Sequence, residues 1–355
     1  ITFPSIGADA IVFQKGGRIY LLNLPGDKVT EVPIRVVTDQ TTLRAHAAKA
    51  DQVAGAPSIS PNAKRAVFEA RGDIVTVPAE RGAVINITRT SGVADRYPRW
   101  SPDGKTIAYW SDRSGEYELT LRPADGSGVE KKVTALGPGF RYPPQWSPDS
   151  KKIAFIDQAM HIRVYDAVHD TVTDVDKSPD WLAHNNLESF RFQWSSDSRW
   201  ITYSRPAATS NNAIFLFDTK DGKLHQATSG YLNDTQPTFS PDGAYLFYAS
   251  DREFDPIYGT FDNSWTYANP TQLVAVPLRN DVKSPLAAQN DSESAATDFD
   301  PARDKDAEGK AEDKEKGAAK KDDVIKAVAA VDIDLDRFEA RSVVMPPKAG
   351  GYADL

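Results

Sequence analysis

The chain has no cysteine and two methionines in 355 residues, which removes disulfides, thiolate nucleophiles and cysteine metal ligands from its repertoire. No apolar run approaches the roughly 18 to 20 residues that a bilayer-spanning helix requires, so no membrane span is expected. Residues 1–30 show no basic start followed by an apolar stretch, and no signal peptide is read there. Basic charge is in deficit: 42 Lys and Arg face 50 Asp and Glu, a net charge of -8. Phosphate recognition needs clustered basic surface, so nucleic acid is not expected as a partner. Histidine is scarce too. His46, His161, His169, His184 and His225 show no ligand spacing, and neither a metal nor a catalytic role is expected of them. His161 and His169 are read onto two strands of one hairpin.

What the chain does have is a repeat. Ser60-Pro61-Asn62-Ala63-Lys64, Ser101-Pro102-Asp103-Gly104-Lys105, Ser147-Pro148-Asp149-Ser150-Lys151, Ser195-Ser196-Asp197-Ser198-Arg199 and Ser240-Pro241-Asp242-Gly243-Ala244 follow one another at intervals of 41, 46, 48 and 45 residues. Proline presets the second turn position, the acid or amide caps its own backbone, and Gly or Ser tolerates the reversal that follows. A short β-rich segment comes next each time: Ala66-Val67-Phe68, Ile107-Ala108-Tyr109, Ile153-Ala154-Phe155, Ile201-Thr202-Tyr203 and Leu246-Phe247-Tyr248. Trp100, Trp146, Trp194 and Phe239 stand just before four of the turns, where they are expected to pack between repeats. The period is that of four-stranded propeller blades. The expected fold is therefore all-β, a β-propeller of TolB/WD40-like repeats; five blades and a fragment do not close comfortably, so the propeller is read as incomplete or as closed by strands that carry no repeat signal.

Residues 1–36 read as the closing strands of a preceding propeller and residues 37–56 as a linker. Blades are expected at 57–92, 93–138, 139–186 and 187–232, with a fifth starting near 233 inside a propeller region that runs over 57–355. Asp251 to Pro270 interrupts that fifth blade with an aromatic-rich excursion. Residues 287–323 contain one aromatic and no apolar period, and Asp298 to Asp323 carries ten acidic and seven basic side chains. Such a segment buries too little to offset its ordering entropy and is expected to be disordered, with a helix over Ala307 to Ala330 as the second reading, since Ala, Glu and Lys favour helix. Val331 to Val344 reads as a strand.

Three blocks narrow the family: Arg65 to Glu80 with Arg96 to Lys105 and Ser114 to Leu119, then Ser250-Asp251-Arg252-Glu253-Phe254-Asp255-Pro256 through Leu278-Arg279-Asn280-Asp281, then Val331-Asp332-Ile333-Asp334-Leu335-Asp336. Together they resemble the amino-terminal propellers of the tricorn protease family, large serine peptidases of the tail-specific type. The resemblance implies the end of a six-bladed propeller followed by most of a seven-bladed one, with catalytic domains further along the parent protein. It also implies oligopeptide substrates, a filtering and channelling role for the seven-bladed propeller, and a homo-oligomer that is hexameric. No cofactor is implied.

No Gly-x-Ser-x-Gly elbow or Ser/His pairing is present, and the repeat serines are explained by their turns, so no catalytic residue is expected in this segment. Asp332, Asp334 and Asp336 begin like a calcium loop, but Arg337 and Val343 occupy positions that need Gly and an acid. They are read as an exposed strand face. Asp112-Arg113 and Asp251-Arg252 are read as hairpin ion-pair features. The peptide-contact candidates are Arg96, Tyr97, Arg141, Tyr142, Arg191 and Phe192, at equivalent positions a few residues before successive turns. Arginine beside an aromatic can pair with peptide carboxylates and stack on side chains, and it can equally serve packing between blades. Three functions stay open at this point: a propeller segment of a tricorn-like peptidase, a free-standing TolB-like protein-binding module, and the gating propeller of a prolyl-oligopeptidase-like hydrolase.

Overall fold

In the computed structural model, residues 1–35, 37, 53–288, 329–352 and 355 are described. Histidine 46, most of the expected linker and nearly all of the expected charged insert lie outside them. The described residues fall into two compact units, Ile1–Pro138 and Gly139–Leu355. Each is built from four-stranded antiparallel sheets whose strands follow one another in sequence order.

The first unit holds three sheets: β1 (Thr2–Ile6) to β4 (Lys28–Val32) through β2 (Ala10–Lys15) and β3 (Arg18–Asn23); β5 (Ala54–Ile59), β6 (Arg65–Ala70), β7 (Asp73–Pro78) and β8 (Ile85–Asn86); and β9 (Asp95–Trp100), β10 (Thr106–Ser111), β11 (Glu118–Pro123) and β12 (Lys131–Lys132). The first sheet is complete, with a strand at Thr2–Ile6 that carries no repeat signal. Val67, Ile74, Ile87, Ile107 and Tyr109 form a buried cluster shared by the second and third sheets.

The second unit also holds three sheets. They are β13 (Gln145–Trp146), β14 (Lys152–Ile156), β15 (His161–Asp166) and β16 (Thr171–Lys177); β17 (Gln193–Trp194), β18 (Trp200–Pro206), β19 (Asn212–Asp218) and β20 (Lys223–Gln226); and β21 (Asp234–Phe239), β22 (Tyr245–Asp251), β25 (Thr271–Pro277) and β26 (Val343–Val344). A separate hairpin, β23 (Pro256–Gly259) with β24 (Ser264–Tyr267), leaves the last sheet between β22 and β25. A five-residue helix, α1 (His184–Glu188), precedes β17.

The repeated turn is closed by its serine. In all five copies the serine N–H donates to the carbonyl five residues on, as from Ser101 to Thr106 at 2.8 Å and from Ser195 to Trp200 at 2.9 Å. Its hydroxyl donates to the acid or amide two residues on, as from Ser147 to Asp149 at 2.6 Å, and accepts the N–H five residues on, as from Trp200 to Ser195 at 2.8 Å. The fourth turn residue is left-handed each time: Ala63, Gly104, Ser150, Ser198 and Gly243 have φ between +55° and +75°. Glycine is the residue this conformation favours, and Ala63 holds it against a cost of about 1 kcal/mol. Replacing the usual proline with Ser196 leaves the bonds of its turn intact.

Two expectations change. Only Val343–Val344 pairs as a strand; Val331 to Leu335 is irregular chain that docks on its neighbours. The Val331 carbonyl accepts the Trp200 indole N–H at 2.8 Å, and the Asp334 N–H donates to Leu278 at 2.8 Å. Asp332 pairs with Arg199 at 3.1 Å and Asp334 accepts the Asn280 N–H at 2.7 Å, so these acids do not line a strand face. His169, expected on a strand, sits in the turn between β15 and β16 and pairs with Asp166 at 3.0 Å.

Candidate functional site

The first strand of a sheet takes one of two forms. In β1, β5, β9 and β21 it is five or six residues long and interrupted by a bulge, with register shifts at Thr2/Ser5, Gly55/Ser58, Arg96/Arg99 (opposite Trp110/Ala108 of β10) and Thr235/Thr238. Inside each bulge one non-glycine residue is left-handed: Phe3, Ala56, Tyr97 and Gln236, with φ of 49° to 53°. All four stand three residues before the end of their strand. Bulges of this kind bend a strand and re-aim its side chains. In β13 and β17 the first strand shrinks to two residues, Gln145–Trp146 and Gln193–Trp194.

This difference decides where the six candidate residues go. Tyr97 is buried at its bulge, and its N–H donates to Glu69 at 2.7 Å. Arg96 is half-exposed, 3.8 Å from Glu69 with its guanidinium over the Tyr97 ring. Arg141 is buried and bridges to Asp157. Tyr142 is buried with its hydroxyl 2.9 Å from His184 Nδ1. Phe192 is buried against Tyr203. Arg191 is exposed, its guanidinium donating to the carbonyls of Glu188 and Phe190. The expected equivalence does not survive the register. Arg141 stands opposite Asp157, where Asp95 stands opposite Ser111 and Asp234 opposite Ser250; Arg96 instead faces Trp110.

Asp95 and Asp234 are wholly buried carboxylates. Ser250 Oγ donates to Asp234 at 2.5 Å, and Thr90 Oγ1 to Asp95 at 3.2 Å. Burial raises both carboxyls above the ordinary aspartate range, against the pull of these hydroxyls.

The second unit contains the cleft that presents Arg191. About 520 Å³ in volume, it lies between the β17–β18 end of one sheet and β21 of the next, with Asn186, Arg191, Gln193, Ser204, Gln236 and Thr238 on its walls. Its lining is mixed polar and apolar, with Arg205 as a second cation. That arginine is already engaged: it binds Asp176 at 2.6 and 3.0 Å and lies over Phe215, leaving Arg191 as the cation on offer. Gln236 aims into the cleft from the bulge and reaches the carbonyl of Tyr352 at 3.3 Å. The sequence signal for Gln236 is a count of residues before Phe239, matching that of Tyr97 before Trp100; its side-chain type gives none.

The sequence model described as the tricorn protease second beta propeller domain matches residues 55–355. The chain belongs to the tricorn protease family. Among curated relatives it is 28% identical over 288 residues to the tricorn protease of Thermoplasma volcanium, covering 78% of this chain and 26% of that one. It is 24% identical over 285 residues to tricorn protease homolog 1 of Streptomyces coelicolor, covering 79% of this chain and 26% of that one. The crystal structure of the tricorn protease aligns with a TM-score of 0.62 at 18% identity, over 97% of this chain and 30% of that chain. The chain thus spans about a quarter of the length of these curated relatives. It is a propeller segment of the tricorn family, and β1–β4 lie before the matched residues.

Proposed function

We propose that this chain is the non-catalytic propeller segment of a tricorn-like serine peptidase, that it filters oligopeptides on their way to an active site elsewhere in the parent protein, and that it supports assembly of a homo-oligomer. The observation that carries the reading is the match to the second propeller domain over 55–355, taken with a cleft in which the exposed Arg191 stands beside neutral amides and hydroxyls. Amide and hydroxyl groups suit the backbone of an extended peptide, and an arginine suits its carboxylates. The repeat serines fit a non-catalytic role, because each hydroxyl is consumed inside its turn.

Titration of the chain with a mixture of unstructured oligopeptides, followed by backbone NMR, tests this. Shifts confined to Arg191, Gln193 and Thr235–Thr238, and weakened several-fold in Arg191→Ala, are the expected result. Peptides that bind equally well to Arg191→Ala, or that leave these resonances unmoved, would sink the assignment of the cleft.

A further inference from the structure

The excursion at 251–270 builds a surface that the peptide reading does not use. In the hairpin, Pro256 pairs with Tyr267 and Tyr258 with Trp265, while Ile257 pairs with Thr266. Because side chains alternate along a strand, the first two pairs share one face. That face is therefore Pro256, Tyr258, Trp265 and Tyr267, with no charge on it. Tyr258 and Trp265 lie 5.0 Å apart, and Phe254 extends the row by packing on Tyr267 at 5.5 Å. Of the nearby charges, Arg252 donates to Ser250 and Glu253 accepts from Gln272 at 2.6 Å, while Asp255 stands exposed between Phe254 and Pro256. The aromatics are in water all the same. Phe254 is 76% exposed, Trp265 57%, Tyr267 50% and Tyr258 46%, and Phe261 at the tip is fully exposed.

We propose that this face is a self-association surface, occupied by the same face of a second copy of this chain around a two-fold axis. It rests on the assembly part of the reading above and not on peptide passage. Area is the first argument. With about 200 Å² for each aromatic side chain, the four rings of the row leave roughly 460 Å² in water, and Phe261 at the tip of the same hairpin brings its exposed ring surface to roughly 650 Å². A monomer's largest apolar patch is about 300–600 Å², and a stable interface takes about 600–1,000 Å² from each partner. The second argument is the fold of the hairpin. Two strands are marginal in water, and three or more with a buried face are needed for stability. Stacking two such ribbons gives four strands around one dry aromatic layer. The third is composition: Tyr, Trp and Phe are the residues enriched at the cores of such interfaces, where charge is depleted. A two-fold contact needs a self-complementary patch, which a flat row of rings without charge supplies.

Sedimentation velocity on the 355-residue chain, from about 1 to about 100 μM, tests the proposal. The wild type is expected to pass from monomer to dimer in that range. Tyr258→Ser with Trp265→Ser should weaken the dimer at least about tenfold. Phe261→Lys, which alters a fully exposed side chain and so leaves folding alone, should weaken it by several-fold. A wild type that stays monomeric throughout overturns the proposal, and so does a dimer that both variants leave unchanged. So does a monomer that captures a proline-rich peptide on Tyr258 and Trp265, which would give the face another occupant. The peptide titration run on the same variants keeps the two readings apart: Arg191→Ala should lose peptide and still dimerise, whereas the hairpin variants should lose the dimer and still bind peptide.

Discussion

Two aromatic cross-strand pairs in the second unit have the same chemistry and opposite fates. Tyr203 of β18 stands directly opposite Phe215 of β19, their rings stacked at 5.9 Å, and both are buried. Tyr258 of β23 stands directly opposite Trp265 of β24 at 5.0 Å, and both face water. What separates them is what lies beyond the pair. Over Phe215 sits the Arg205 guanidinium at 3.8 Å, held by Asp176, which also accepts the Tyr203 hydroxyl at 2.7 Å. That carboxylate comes from β16 of the neighbouring sheet, so the pair is locked from outside its own hairpin. Nothing among the described residues does this for Tyr258 and Trp265. An aromatic pair stabilises a blade only when a neighbour completes it; without one, the same pair is a contact surface.

The largest expected effect comes from removing the lock. Arg205→Leu leaves Asp176 buried beside Tyr203 without its cation, and losing one partner of a buried pair costs about 3–5 kcal/mol. The urea midpoint should fall accordingly at unchanged slope. A loss below about 1 kcal/mol would show that the stacked rings hold the joint by themselves. Next in size is the turn. Ser195→Ala removes a buried hydroxyl that serves Asp197 and the Trp200 N–H, and should cost about 1–3 kcal/mol by the same measurement. Because Ser196 already replaces proline there, a larger loss than for Ser147→Ala would show that proline helps to hold the other turns when the serine is removed.

These two regions also mark how far the sequence could be read. The turns were legible because each repeat spends the same residues on the same bonds, which leaves a period of 41 to 48 residues. The propeller fold and its family followed from that period and from the blocks around Arg65 and Ser250. The bulges were not legible: Phe3, Ala56, Tyr97 and Gln236 share a backbone conformation and no side-chain property. That is why Arg96, Arg141 and Arg191, each a few residues before its turn serine, looked equivalent while the structure separates them. Only Arg191 of the six candidates lines the cleft, and Gln236 was missed for the same reason. Val331 to Leu335 alternates like a strand, yet its backbone bonds go to Trp200 and Leu278, whose approach no local pattern records.

A smaller effect tests the sheet from which the hairpin departs. Asp234 opens β21, buried, with Ser250 and Thr228 donating toward it, Arg252 opposing its shift and Glu339 adding to it. Its folded-state pKa lies above the unfolded value, so proton uptake favours the fold. The stabilising contribution is fully present below the ordinary aspartate pKa of about 3.9 and is lost as pH rises through the raised value. Asp234→Asn keeps an oxygen for Ser250 and does not titrate. Urea midpoints from about pH 4 to about pH 8 should therefore show wild type losing ground to the variant as pH rises. Parallel profiles would mean that Arg252 and the hydroxyls cancel the burial.

The smallest expected change in stability is the most discriminating. Tyr258→Ser with Trp265→Ser removes two large aromatics, which in a core would cost about 3–5 kcal/mol each. Here both rings are about half in water and pair mainly with each other, so the monomer's urea midpoint should move by no more than about 0.5 kcal/mol. The measurement has to be made at low concentration, because any dimer stabilises the fold by mass action and would add a concentration-dependent loss. A small loss when dilute that grows with protein concentration is what an exposed pair completed by a second copy requires. A large loss at every concentration would mean that the hairpin is locked within its own chain as firmly as Tyr203 and Phe215, and the contrast between the two pairs would fall.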